Sequence, residues 1–78
     1  DAWVCAKSLV SKELKLSDAA QFCSAAKAGI IYADPYWIVR GDVTEYNDAG
    51  ELEYIYFRVE FAFTGEDEVY LSDFDYDK

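Results

Sequence analysis

The chain has no histidine and no methionine, and only one proline and four glycines occur among its 78 residues. Without histidine there is no ordinary Ser-His or Cys-His nucleophile and no imidazole metal ligand, so we do not expect an enzyme. The low proline and glycine content argues against a linker or a disordered segment. We therefore expect one small folded domain over residues 1–78.

Basic residues are also scarce, since seven lysines and arginines oppose sixteen acids and give a formal net charge of -9. Nucleic-acid binding needs a basic stripe, but Lys7, Lys12 and Lys15 lie together in one short segment. We predict no nucleic-acid partner, whereas a basic protein partner would be attracted. No apolar run reaches the length of a membrane span, so none is expected within this chain.

The residues from Ala2 to Lys15 have the periodicity of an amphipathic helix. Its apolar stripe has spacings of three and four and consists of Trp3, Ala6, Val10 and Leu14, widened by Cys5 and Leu9. A short capped turn is expected after Ser17, and Phe22 is expected to fill part of the core.

The hydrophobic period then changes to two, which predicts β-strands over 26–32, 36–46, 51–64 and 68–74. Turn residues separate them at Asp34-Pro35, Asn47–Gly50 and 64–67, and the acidic residues 73–78 are expected to fray. The predicted fold is α+β, with one N-terminal helix on a four-stranded antiparallel meander whose other face is partly wet. If the apolar strand from Ile55 to Phe63 is an edge, dimerisation through it is expected; the oligomeric state is otherwise open.

Two cysteines, Cys5 and Cys23, permit one disulfide, and the chain between them is long enough to return alongside the helix. We favour this disulfide because thin cores often need a covalent link, and it would imply an extracytoplasmic location. The alternative is two buried thiols in a cytosolic protein. A thiolate at Cys5 activated by Lys7 or Lys12 is less consistent with the position of Cys5 on the apolar stripe.

The best candidate for binding is the outer face of the predicted sheet. Tyr54, Tyr56 and Arg58 alternate on one strand, and Tyr36, Ile38 and Arg40 alternate on its neighbour. Tyrosine and arginine are enriched at interface hot spots, which suggests a protein partner. Ordinary cross-strand packing is the alternative and the more common role of such residues.

The acidic C-terminal end has some features of a calcium site. Asp73, Asp75 and Asp77 would share one strand face, close to the acids at 66–68. The glycine and the distal glutamate of a calcium loop are missing. We therefore expect a solvated acidic end, with no metal and no cofactor.

Several segments resemble small uncharacterised extracytoplasmic bacterial domains, which are often lipoproteins or follow a membrane anchor. Residues 6–15 resemble their A-K-x-x-V-x-x-x-L-K helix, residues 20–22 their A-x-F, and residues 36–43 their V-x-G-x-V strand, with Asn47, Gly50 and Arg58 also matching. The likeness extends to Phe61, but the proline expected near Ser17 is absent and the acidic end lies outside the pattern. The resemblance implies a secreted or surface-anchored Gram-positive protein and no assigned activity.

A second resemblance concerns the fold, because one helix against a four-stranded sheet is similar to the cystatin-like roll. Val39-Arg40-Gly41 matches the V-x-G of that inhibitor motif, but the preceding glutamine is missing and the segment is expected within a strand rather than in a hairpin. Fold does not imply function.

Our leading hypothesis is a non-enzymatic extracytoplasmic binding domain of unknown ligand. The alternatives are a structural accessory domain of a longer surface protein and a small peptidase inhibitor. The chain begins at Asp1 rather than at methionine, so we expect it to be processed or to belong to a longer polypeptide.

Overall fold

The computed structural model describes residues 2–66 and 68–77 and has an α+β fold. Its elements are one helix and five strands: α1 Ala2–Leu14, β1 Gln21–Phe22, β2 Gly29–Ala33, β3 Tyr36–Tyr46, β4 Leu52–Phe63 and β5 Val69–Asp77. The N-terminal helix and the antiparallel sheet agree with the sequence-based prediction. The sheet has one strand more than the four predicted.

The strand order places β4 between β3 and β5, and every strand pair is antiparallel. The other side of β3 is shared, since β2 pairs with residues 36–40 and β1 pairs with residues 43–44. The apolar strand β4 is therefore central, and the conditional prediction of dimerisation through it does not apply. The exposed edges are β5 on one side and β1 with β2 on the other.

The core lies between α1 and one face of the sheet. Its fully or nearly fully buried members are Ala6 and Val10 from the helix, Val39 and Val43 from β3, and Ile55, Phe57, Val59 and Phe61 from β4. The alternation in β4 arises because successive side chains of a strand point to opposite faces. The odd-numbered residues of the middle of β3 and β4 thus face the helix, and the even-numbered residues form the outer face.

The helix ends in a Schellman-type turn. Lys15 adopts a φ of 52°, and the N–H of Leu16 donates to the carbonyl of Ser11 at 3.1 Å. This bond satisfies a carbonyl that the last helical turn leaves free, and the half-buried Leu16 packs against the core. Glycine usually occupies the position that Lys15 holds here.

Phe22 accounts for the strand that the sequence pattern did not predict. Its ring contacts Trp3 of the helix at 6.2 Å and Phe57 of the sheet at 5.9 Å, both edge to face. This packing holds the chain beside β3, where Phe22 pairs with Val43. Phe22 does contribute to the core, as predicted, but a strand of two residues is too short to show periodicity.

Two further strand boundaries differ from the prediction. Residues 24–28 form a turn, in which the N–H of Lys27 donates to the carbonyl of Ser24 at 3.0 Å, so β2 begins at Gly29 rather than at residue 26. The acidic end does not fray over the described residues, because β5 continues along β4 as far as Asp77.

A β-bulge at Ser72 makes this extension possible. Phe61 pairs with Leu71 while Glu60 pairs with Asp73, so Ser72 has no opposite residue. Strict alternation would place Leu71 and Asp73 on the same face. The extra residue lets Leu71 and Phe74 pack against the core while Asp73 stays on the outer face.

Candidate functional site

The sheet brings four of the five candidate binding residues together on its outer face. Arg40 of β3 lies directly opposite Arg58 of β4, while Tyr56 and Tyr54 follow on β4 opposite Asp42 and Thr44. Tyr36 lies four residues before Arg40 on the same strand, about 13 Å away. We call Arg40, Arg58, Tyr54 and Tyr56 the outer patch.

Arg58 is held by carboxylates on both sides. Its guanidinium lies 3.3 Å from Asp73 Oδ2 and 3.5 Å from Glu60 Oε1. The other oxygen of Glu60 accepts a hydrogen bond from the hydroxyl of the bulge residue Ser72 at 2.8 Å. These contacts place Arg58 between two acids and use two of its five N–H donors.

Arg40 is in a different situation. It is exposed, and within residues 2–66 and 68–77 it makes no ion pair. Two like charges directly opposite each other on neighbouring strands are unfavourable. Because acids in the described part of the chain compensate Arg58 and none of them pairs with Arg40, Arg40 is the cation of the outer patch that can receive a carboxylate.

The tyrosines of the outer patch are open to solvent. Tyr54 and Tyr56 are 55% and 57% exposed, which leaves most of each ring free for contact. Beside Tyr54 a surface depression of about 420 Å³ is lined by the β1 region, with Cys23, Lys27, Asp42 and Thr44 among its residues. The patch therefore continues from the strand surface into this recess.

The predicted disulfide between Cys5 and Cys23 is wrong in this structure, because both thiols are free. Phe22, rather than its neighbour Cys23, meets the helix, through Trp3. Cys23 is instead packed beside Gly41, where its sulfur occupies room left by the missing side chain. Burial raises the pKa of the Cys5 thiol, as expected for a thiol on the apolar side of the helix.

The acidic C-terminal residues up to Asp77 belong to strand β5 of the sheet. Asp73 pairs with Arg58, and Asp75 accepts a hydrogen bond from the N–H of Tyr76 at 3.0 Å. Asp67, which the calcium alternative included, lies outside the described residues. Among the residues that are described, no group of three or more acids or cysteines is placed to hold a metal ion.

Alternation along β4 places Glu60 on the outer face, but sequence reasoning did not identify it as a partner of Arg58, and it did not single out Ser72. The signal that could have found them is the spacing of three between Leu71 and Phe74, because two inward residues three apart in a strand require a bulge. Once Ser72 is assigned to the bulge, Asp73 falls opposite Glu60 and beside Arg58.

Val39-Arg40-Gly41, which resembles the V-x-G of the inhibitor motif, lies within β3, with β4 along one side. It therefore does not form a protruding hairpin.

In the part of the chain that the structure describes, no helix is long and apolar enough to cross a membrane. No family model, no curated protein and no solved structure matches the chain.

Proposed function

We propose that the chain is a non-enzymatic extracytoplasmic binding domain that holds a protein partner on its outer patch. The observation that carries the proposal is Arg40, an exposed cation without an ion pair among the described residues, opposite the compensated Arg58. Exposed tyrosines beside an arginine provide large contact area and directional hydrogen bonds.

Charge suggests the chemistry of the partner. The outer patch is bordered by Asp42, Asp75 and Asp77, and the whole chain carries a net charge of -9. A basic surface would be steered toward the domain, and a single carboxylate within that surface would pair with Arg40. The partner we propose is therefore a protein with a mainly basic face and one acidic residue at its centre.

The proposed extracytoplasmic location is supported by one observation. The free thiols remove the disulfide argument, so the extracytoplasmic location is supported by the resemblance of residues 6–61 alone. A membrane-impermeant maleimide added to intact source cells tests it through the half-buried Cys23. Labelling without lysis is expected, whereas labelling only after lysis would place the chain inside the cell.

The binding proposal is tested by photo-crosslinking in the source cell. A benzoyl-phenylalanine replacing Tyr56 should give a discrete adduct with one protein, and Arg40→Glu should abolish that adduct. The matched control carries the same group at Tyr76, which is 51% exposed and lies opposite Phe57 on the helix side of β5, the face turned away from the outer patch. No adduct from position 56, or equal adducts from both positions, would contradict the proposal and favour a structural accessory role.

A further inference from the structure

The outer face of the sheet changes character on the two sides of Arg40. Two residues before Arg40, Ile38 lies directly opposite Ile31 of β2, and this aliphatic pair is on the outer face. Two residues after Arg40, Asp42 borders the outer patch on its acidic side. Residues two apart in a strand share a face and lie about 7 Å from each other. Arg40 therefore stands at the boundary between an aliphatic and an acidic surface.

The aliphatic pair has surface to offer to a partner. Ile31 is 56% exposed, and Ile38 is half-buried. On its other side Ile38 lies opposite Glu60, whose two carboxylate oxygens already accept from Arg58 and Ser72. Glu60 is thus engaged by its own neighbours.

Gly29 leaves the approach to Arg40 open from the β2 side. It lies directly opposite Arg40, and a Cβ atom built on it would meet only the Cβ of Arg40, at 3.9 Å. The other neighbour of Arg40 across the sheet is Arg58, which is paired with acids. An anion therefore reaches Arg40 most easily above Gly29, which is also the side on which Ile31 lies.

We propose that this part of the outer face receives an acidic side chain of the protein partner together with an aliphatic side chain about 7 Å from it. The carboxylate pairs with Arg40 above Gly29, and the aliphatic side chain covers Ile31 and Ile38. This inference rests on the proposed function and deepens it. It adds the neighbour of the partner's acid and the direction in which the partner lies on the sheet.

Charge complementarity requires both parts of this ligand. A purely apolar partner would cover Arg40 and leave its charge unpaired, which is costly. A carboxylate alone would form an exposed ion pair, and such pairs contribute little. An aliphatic neighbour that excludes water strengthens the pair. The basic residues of the partner then lie over Asp42 and the acids of β5, so its orientation on the sheet is fixed.

The first test uses three small probes: acetate, hexanoate and hexanamide. Nuclear magnetic resonance of the whole chain follows their binding through the backbone signals of Gly29, Ile31 and Arg40. Hexanoate should bind at least about fivefold more tightly than acetate, because part of its alkyl chain leaves water against the isoleucines. Hexanamide has the same chain without the charge and should leave these signals unchanged.

Variants separate the contribution of the cation from that of the aliphatic pair. Arg40→Gln should abolish the binding of both carboxylates, whereas Ile31→Ser should lower the affinity for hexanoate to that for acetate. The matched control is Ile30→Ser on the same strand. Ile30 is 38% exposed and pairs with Val39, which faces the helix. This control should leave the affinity for hexanoate unchanged, and circular dichroism checks that each variant has folded.

The outcomes distinguish the inference from the proposed function. If acetate and hexanoate bind to Arg40 equally well, or if Ile31→Ser and Ile30→Ser act alike, the inference is overturned while the pairing of Arg40 with a carboxylate stands. If no carboxylate binding depends on Arg40, that pairing is contradicted, and the inference falls with it.

The second test applies the same variants to the partner itself. With benzoyl-phenylalanine at position 56 in the source cell, Ile31→Ser should weaken the adduct at least about threefold, and Ile30→Ser should not. An adduct that Arg40→Glu abolishes but Ile31→Ser leaves at full strength would overturn the inference and retain the proposed function.

Discussion

Gly41 lies directly opposite Phe57 across β3 and β4, and its missing side chain gives room to the Phe57 ring and the Cys23 sulfur. A Cβ atom at position 41 would stand 3.0 Å from Phe57 Cζ and 3.2 Å from Cys23 Sγ. Both distances are shorter than ordinary van der Waals contact. The glycine therefore permits the close approach of β1 and β4 at the point where Phe22 closes the core.

Gly41→Ala should lower the free energy of unfolding by about 1–2 kcal/mol, since the added methyl group forces the ring and the sulfur apart. The matched control is Gly29→Ala, whose Cβ would meet only the Cβ of Arg40 at 3.9 Å. We expect the control to be neutral or slightly stabilising. Urea denaturation of both variants measures the difference in their free energies of unfolding. Equal losses in the two variants would show that the loss does not come from crowding against Phe57 and Cys23.

The parts of the fold that followed from the sequence are those with local signals. The turn at 47–50 is an example: Asn47 Oδ1 accepts hydrogen bonds from the N–H groups of Ala49 and Glu51, and Gly50 has a φ of 80°. Each of these residues favours its conformation without help from the rest of the chain. The helix and the long strands were predictable in the same way, from periodicity over many residues.

The parts that did not follow depend on contacts distant in sequence. β1 exists because Phe22 packs between Trp3 and Phe57, and β5 continues past Phe74 because the bulge at Ser72 corrects its phase. For the site, alternation was enough to place Arg40 and Arg58 on one face. It also places Glu60 on the same face two residues from Arg58, but the second acid beside Arg58, Asp73, depends on the register between β4 and β5.

Lys15→Gly should stabilise the chain by about 1 kcal/mol. Lys15 has a positive φ at the helix end, a conformation that strains any residue with a Cβ atom. Glycine has no Cβ atom and adopts this conformation without strain. The matched control is Lys12→Gly in the last helical turn, where glycine should instead cost about 1 kcal/mol. Thermal unfolding of both variants should show midpoints that move in opposite directions. A fall in both midpoints would mean that the Lys15 side chain itself stabilises the helix end.

Tyr32 should ionise at higher pH than an ordinary tyrosine. Its hydroxyl donates to Asp34 Oδ1 at 2.7 Å, and this hydrogen bond raises the pKa of Tyr32 because it favours the protonated phenol. In an alkaline ultraviolet titration, Tyr32→Phe should remove a tyrosine that ionises above the ordinary pH range. Asp34→Asn should move it to lower pH, because the carboxylate that opposes ionisation is gone. An unchanged titration in Asp34→Asn would show that the hydrogen bond does not form in solution.

The free thiols give a prediction that a single mass measurement decides. Denatured without reductant, the chain should take up two alkyl groups, one on Cys5 and one on Cys23, because no disulfide protects either sulfur.

In the folded chain at neutral pH, Cys5 should react with the alkylating reagent more slowly than in the unfolded chain. Burial raises the pKa of its thiol and so lowers the fraction present as the reactive thiolate. The rate for folded Cys5 should therefore reach half of its alkaline plateau above about pH 8.5, the pH at which an ordinary thiol is half ionised. Cys5→Ala provides the control that assigns the slow site by mass. A chain that takes up label only after reduction would restore the disulfide, and with it the first argument for an extracytoplasmic location.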